Sequence, residues 1–140
     1  MTAIRDRDAM IAGMAPCLMP GHFHFCTVAD PALIGQALPV AIGTFHEAEG
    51  VSLILPEAAV LALGLAMGDP MRQITLQVHS ALDGIGLTAA VAGVLAGAGI
   101  ACNMVAAFHH DHAFVPAADA DRALDLLVAL ATGTTGTAKA

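Results

Sequence analysis

Between Gly84 and His110 the chain carries no Asp, Glu, Lys or Arg. A run of this length without charge has to be buried, either in a bilayer or in the core of a folded domain. It is rich in Ala rather than Leu, has no flanking Lys/Arg cluster, and is interrupted by residues that suit a membrane helix poorly. These are Gly86, Gly93, Gly97, Gly99 and Asn103. We therefore expect buried elements of a globular domain and no membrane helix.

The stretch that leads into this run predicts a strand, a glycine turn and a helix. In "MRQITLQVHS" apolar and polar side chains alternate, as in a half-buried strand: Ile74, Leu76 and Val78 against Thr75, Gln77 and His79. The turn "ALDGIG" follows. Apolar residues then recur at helical spacing up to a stop at Gly99: Leu87, Val91, Val94, Leu95 and Ala98.

Downstream, the pattern predicts a hairpin and a second helix. "IACNMVAAF" shows little alternation, as expected of a strand covered on both faces, and "AFVP" is a short second strand. "DADRALDLLVALA" has an N-cap residue at Asp119, and an apolar stripe is expected to face the core: Leu124, Leu127, Val128 and Ala131. The tail from residue 132 to 140 lacks bulky apolar residues and is expected to be disordered.

The N-terminal half predicts a short helix near residues 6–14, then strands at "HFHFCTV", "LPVAIGTF" and "VSLIL". Pro56 begins a helix that ends at Gly64. The two halves thus have the orders β-β-β-α and β-α-β-β-α, a weak repeat in architecture. We expect an α+β fold of antiparallel sheets with helices on one face, completed by strand exchange between the halves or by dimerisation.

Charge and cysteine content exclude several classes of protein. Twelve acidic and five scattered basic residues give a net charge of −7, which excludes a nucleic-acid partner. The N-terminus lacks the apolar core of a signal peptide. The three cysteines, Cys17, Cys26 and Cys102, lack metal-binding spacing and indicate reduced core residues of a cytoplasmic protein.

The helix after the glycine turn has a second face of small residues where a surface helix would carry charge. They are Thr88, Ala89, Ala92, Gly93, Ala96 and Gly97. Small side chains permit close approach, so a neighbouring helix, a second subunit or lipid could cover this face. A second subunit would make the protein a homodimer.

The turn "HSALDGIGLTAA" is the most informative candidate site. Free amides at a helix N-terminus suit a carboxylate, glycine lets a ligand approach the backbone, and Asp83 could meet an ammonium group. An amino-acid zwitterion carries both groups. The alternative is that Asp83 only caps the turn and the glycines only shape it.

The sequence "HHDH" offers a metal site as an alternative. In an extended segment His110 and His112 could share a side while His109 points away, so a third zinc ligand would have to come from elsewhere. The simpler interpretation is a polar hairpin turn with Asp111 as the turn former. No pattern of nucleophile and base, and no converging pair of carboxylates, indicates an enzyme, and no cofactor is expected.

Residues 72–130 resemble an ACT domain in the strand "ITLQVHS", the turn "LDGIGLTAAV", the passage "AGAGIACNMVA" and the hairpin "HHDHAFVP". "LMPGHFHFCTV" and "TFHEAEGVSLILP" extend the likeness to the first half. The resemblance implies a ferredoxin-like sandwich of two ACT-like halves, residues 1–68 and 69–131, and a non-catalytic regulatory protein that binds a small molecule such as an amino acid. A purely structural dimerisation module is a further alternative.

The resemblance places the ligand at the first strand-to-helix turn, with an asparagine on the adjoining strand as a neighbour. Carried onto this sequence, the predicted ligand-binding residues are Ser80, Ala81, Leu82, Asp83, Gly84, Ile85, Gly86, Leu87 and Asn103.

Overall fold

The structure is a computed structural model that describes residues 6–78 and 85–133. In chain order its helices and strands are α1 (Arg7–Gly13), β1 (Pro16–Leu18), β2 (Phe23–Val28), α2 (Pro31–Ala37), β3 (Gly43–Glu47), β4 (Gly50–Pro56), α3 (Glu57–Leu63), β5 (Met71–Leu76), α4 (Leu87–Gly97), β6 (Asn103–Ala106), β7 (Asp111–Pro116) and α5 (Ala120–Thr132). Short 3-10 turns precede β3 and α5. The tail predicted to be disordered was residues 132–140. Its first residue, Thr132, is the last residue of α5 and Gly133 is the C-cap, and residues 134–140 lie outside the described residues.

Contacts divide the chain into two compact units. The N-terminal unit is residues 20–71, and the C-terminal unit joins residues 6–19 to the described residues from 72 onward. The segment with α1 and β1 therefore lies with the C-terminal unit, although the predicted halves, 1–68 and 69–131, assign it to the first. The reason is that β1 pairs with β5, antiparallel, from Pro16 opposite Leu76 to Leu18 opposite Ile74.

The N-terminal unit is an antiparallel sheet in the order β3-β4-β2, with α2 and α3 packed on it. Its hydrophobic core consists of Val28, Ala37, Val51, Leu53, Leu55 and Val60. Two predictions were wrong here. Leu38–Val40 is a 3-10 turn, so the predicted strand begins only at Gly43, and α2 was not expected.

The C-terminal unit has the sheet order β6-β7-β5-β1. Alternate strand residues and one side of α1, α4 and α5 form its core: Met10, Ile11, Met14, Ile74, Leu76, Val78, Leu87, Val91, Leu95, Ile100, Ala113, Val115, Ala120, Ala123 and Leu127. Helices thus cover one face of an antiparallel sheet, as predicted. Because α2 exists, both units contain the order β-α-β-β-α, to which the C-terminal unit adds α1 and β1, and the repeat is more regular than the sequence indicated.

Three details of the C-terminal unit differ from the predictions. The strand β6 is not covered on both faces, since Asn103 and Ala106 are exposed. Thr75, expected on the polar side of β5, is buried. On α5, Val128 is 43% exposed although it was assigned to the buried stripe.

Candidate functional site

The N-terminus of α4 is the described part of the predicted ligand-binding turn. Gly86 is its N-cap residue, with a left-handed φ of 104° and no side chain to accept a hydrogen bond. The Ala90 amide bonds to the Gly86 carbonyl at 2.9 Å, and the amides of residues 87–89 have no acceptor among the described residues. Three amides without an acceptor among the described residues, at the positive end of a helix of 11 residues, suit an anionic group.

Most of the predicted site lies outside the described residues. This applies to Ser80, Ala81, Leu82, Asp83 and Gly84. Of the remainder, Ile85 is 81% exposed, whereas Leu87 is buried in the core and can offer a ligand only its backbone amide. The described part therefore contributes backbone groups and one exposed apolar side chain.

Asn103 was expected on the strand that adjoins β5, and that placement is wrong. The sheet order puts β7 between β5 and β6. Asn103 also pairs with Phe114, at the end of β6 far from the hairpin turn, whereas His110, in that turn, contacts Val78 just beyond the end of β5. A hairpin that inserts its second strand beside the first strand produces this order.

Arg7 is a residue of the corner that sequence reasoning missed. It is the first residue of α1, and a Cβ added to Gly86 would lie 2.6 Å from its Cδ atom and 2.9 Å from its Cγ atom. A side chain at this position would displace the arginine side chain, and the left-handed φ of Gly86 also favours glycine. The side chain is 56% exposed and its Nη1 atom donates to Asp8 Oδ1 at 3.2 Å. An exposed cation thus lies beside the start of α4.

The histidines of the hairpin do not converge. His109 packs edge-on against Phe108, and the Nδ1 atom of His110 lies 3.3 Å from the Val78 carbonyl oxygen. His112 points into a polar cluster on β5. No group of three potential metal ligands exists within residues 6–78 and 85–133.

The prediction that Asp111 forms the hairpin turn is also wrong. It is the first residue of β7 and is buried, so the turn lies earlier, closed by a bond from the Ala107 amide to the His110 carbonyl at 3.0 Å.

The polar cluster lies on the sheet face opposite the helices and joins β5 to β7. The Nδ1 atom of His112 lies 3.0 Å from Thr75 Oγ1 and 3.1 Å from Gln73 Nε2. The Gln73 amide nitrogen can only donate, so Nδ1 is the acceptor and the ring proton is on Nε2. Burial, and next the charge of His110, lower the pKa of His112, while Asp111 acts in the opposite direction.

This cluster predicts a pH-dependent stability. The folded state lowers the pKa of His112, so the neutral form of His112 stabilises the fold. This stabilisation is fully present above the ordinary pKa of about 6.5, and it is lost as the pH falls through the lower pKa of the folded state. Urea titrations from about pH 8 to about pH 5 should show a steeper loss of stability for the wild type than for His112→Asn, which keeps an acceptor near Nδ1. Parallel curves would contradict the assignment.

A second histidine is buried in the N-terminal unit. His24 is 2% exposed, and its Nε2 atom lies 2.8 Å from Glu57 Oε1 at the start of α3. Its Nδ1 atom is buried and has no partner within the described part of the chain. The pair ties β2 to α3.

The cysteines are free and half-buried. Burial raises the pKa of the Cys26 and Cys102 thiols, which disfavours the reactive thiolate. Cys102 precedes β6 instead of lying mid-strand as expected. These properties are those of packing residues.

One ACT domain model matches residues 2–72 and a second ACT domain model matches residues 70–129. The chain belongs to the ACT domain family. The predicted resemblance and the ferredoxin-like fold with two ACT halves are confirmed. A search of curated proteins finds no match.

Several solved structures have a similar fold. A Vibrio cholerae protein of unknown function, described as a possible transport protein, is 38% identical with a TM-score of 0.78, over 89% of this chain and 94% of that one. An Agrobacterium tumefaciens protein is 20% identical with a TM-score of 0.66, over 84% and 89%. The regulatory subunit of aspartate kinase from Thermus flavus is 11% identical with a TM-score of 0.54, over 84% and 96%.

These likenesses agree with a regulatory, ligand-binding type of fold. None of the described helices is both long and apolar enough to cross a membrane.

Proposed function

We propose that this ACT protein is a non-catalytic regulator that binds an amino acid at the turn from Ser80 to Leu87. The observation that carries the proposal is the N-terminus of α4, where Gly86 provides no side-chain cap and the amides of residues 87–89 have no acceptor within residues 6–78 and 85–133. The aspartate kinase subunit of the same fold is named as regulatory, and that supports a regulatory role here.

The chemistry of the corner suits the two charges of a zwitterion. The ligand carboxylate would accept hydrogen bonds from the α4 amides, and the Arg7 guanidinium beside Gly86 would add a charged donor. Asp83, which lies outside the described residues, would bind the ammonium group. Asn103 is not included, because β7 separates its strand from β5.

Calorimetric titration with each standard amino acid tests this site. The amino acid that binds the wild type should bind Asp83→Ala and Arg7→Ala each about 10- to 100-fold more weakly, since each change removes a charged hydrogen-bond partner. Arg122→Ala is the matched control, because Arg122 is an exposed arginine of the same unit that donates to the Ala98 carbonyl. Titrations that are identical for all four proteins would remove the site.

The proposed assembly is a homodimer in the cytoplasm. The small face of α4 predicted to be covered has exposed members in the single chain, among them Ala89, Gly93 and Ala96. A second subunit packed there would bury them. Light scattering gives the mass in solution, and a mass equal to one chain at high concentration would contradict the dimer.

A further inference from the structure

The strand β3 lies at the edge of the sheet in the N-terminal unit, where it pairs with β4 and has no partner on its other side among the described residues. Glu47 faces Gly50 across the tight turn of the β3–β4 hairpin, so these two residues share backbone hydrogen bonds. Hydrogen-bonded pairs alternate along an antiparallel ladder, and the backbone groups of Phe45 therefore also face β4. The amide and carbonyl groups of Thr44 and His46 point the other way, toward the free edge.

A free edge of this kind can add a strand from another chain. Proteins commonly protect such edges with Lys or Pro, and β3, with the sequence GTFHE, has neither. Every residue from Thr44 to Glu49 is exposed, so no described part of the chain covers the edge. The edge is therefore accessible to a partner strand.

An apolar side chain lies next to the free backbone groups. Thr44 is opposite Leu53 of the core, so the side chain of Phe45 points to the other face of the sheet, away from the helices. There it is 73% exposed. Val40 and Ile42, just before β3, are half-exposed and extend the apolar surface along the chain. A strand added to β3 would cover Phe45 with a side chain of its own.

The charge of the N-terminal unit has a single sign. Residues 20–71 contain five acidic residues and no Lys or Arg, so this unit supplies −5 of the net charge of −7. Glu47 and Glu49 are exposed at the β3–β4 hairpin, and Glu47 lies on the same face of β3 as Phe45. A second copy of the chain would bring the same negative charges to the edge, whereas a basic segment would be attracted to it.

We infer that the free edge of β3 binds an extended segment of another protein, in which an apolar residue and a Lys or Arg stand two positions apart. Side chains two positions apart in a strand point to the same face, so the apolar residue would contact Phe45 while the cation would lie near Glu47. The backbone groups of Thr44 and His46 would form the ladder. The inference goes beyond the proposed function and does not depend on amino-acid binding, because the edge belongs to the N-terminal unit and the proposed ligand turn to the C-terminal unit.

Binding of a designed peptide by the full chain tests this inference. The probe is the peptide TVTKTVTKT with capped ends and a fluorescent label, in which Val and Lys alternate on one face, and its control has Glu in place of Lys. Fluorescence anisotropy should show that the wild type binds the Lys peptide at least about 5-fold more tightly than the Glu peptide. The difference should decrease as salt is added, because the attraction is between exposed charges.

Two variants of β3 locate the binding surface. Thr44→Pro removes an amide that faces the free edge and leaves the bonds to β4 in place, and Phe45→Ala removes the apolar contact. Each should weaken binding of the Lys peptide about 3- to 10-fold, and thermal unfolding shows whether each variant is folded. Leu61→Ala is the matched control, because Leu61 is an exposed apolar residue of the same unit that lies on α3, and it should bind as the wild type does.

Three results would overturn the inference. The first is that the wild type does not bind the Lys peptide or binds both peptides equally. The second is that a folded β3 variant binds the Lys peptide as tightly as the wild type does. The third is a dimer in light scattering that Thr44→Pro converts to single chains, because a second copy would then occupy the edge.

Discussion

Alanine in place of Gly50 is expected to destabilise the N-terminal unit by about 2 to 4 kcal/mol. Gly50 has a φ of 151°, a conformation that residues with a side chain rarely adopt. Its new Cβ would also lie 2.8 Å from the Val28 carbonyl oxygen and 3.2 Å from the Val28 carbonyl carbon. Both neighbours are backbone atoms of β2, so relief requires the strand or the hairpin to move.

Gly35→Ala is the matched control, since it makes the same chemical change in the same unit. Gly35 lies inside α2, has ordinary helical backbone, and a Cβ there would meet nothing within 4 Å. Alanine should therefore stabilise this helix by about 0.5 to 1 kcal/mol. Urea unfolding of the two variants gives the comparison. Equal free energies of unfolding for the two variants would mean that neither the positive φ nor the contact with Val28 constrains Gly50.

Long periodic segments of this fold could be predicted, whereas short ones could not. The alternation in β5 and the helical spacing in α4 extend over enough residues to give a clear period. The strand β1 has only three residues, Pro16–Leu18, too few for any period, and its partner β5 is distant along the chain. The helix α2 is short as well, although Asp30 followed by Pro31 is a helix start signal that could have been used.

The candidate site, too, could be predicted from the sequence only in part. Gly86 and the start of α4 could be placed because a strand, a glycine turn and a helix follow one another in the sequence. Arg7 could not, because nothing in its neighbourhood indicates that α1 packs beside α4. Asn103 was misplaced because sequence order does not say which strand of a hairpin pairs with β5.

Val128 was wrongly assigned to the buried side of α5 because that prediction relied on the large side chains. The buried side of this helix includes Ala120, Ala123 and Leu127, a spacing of three and four residues that small alanines make easy to overlook. A stripe chosen by size instead includes Val128, which lies one residue beyond Leu127 and is therefore turned by about 100° from it. The exposure of Val128 follows from this rotation.

Leu127→Ala is expected to lower the free energy of unfolding of the C-terminal unit by about 2 to 5 kcal/mol, because the loss of a fully buried side chain leaves a cavity in a packed core. Leu127 has 0% exposure, and its core neighbours come from the strands as well as from the other helices. Val128→Ala is the control on the adjacent position, and at 43% exposure it should change stability by about 0.5 kcal/mol or less. Thermal and urea unfolding of both variants test which side of α5 faces the core. A larger loss of stability from Val128→Ala than from Leu127→Ala would mean that the predicted side, which includes Val128, is the buried one.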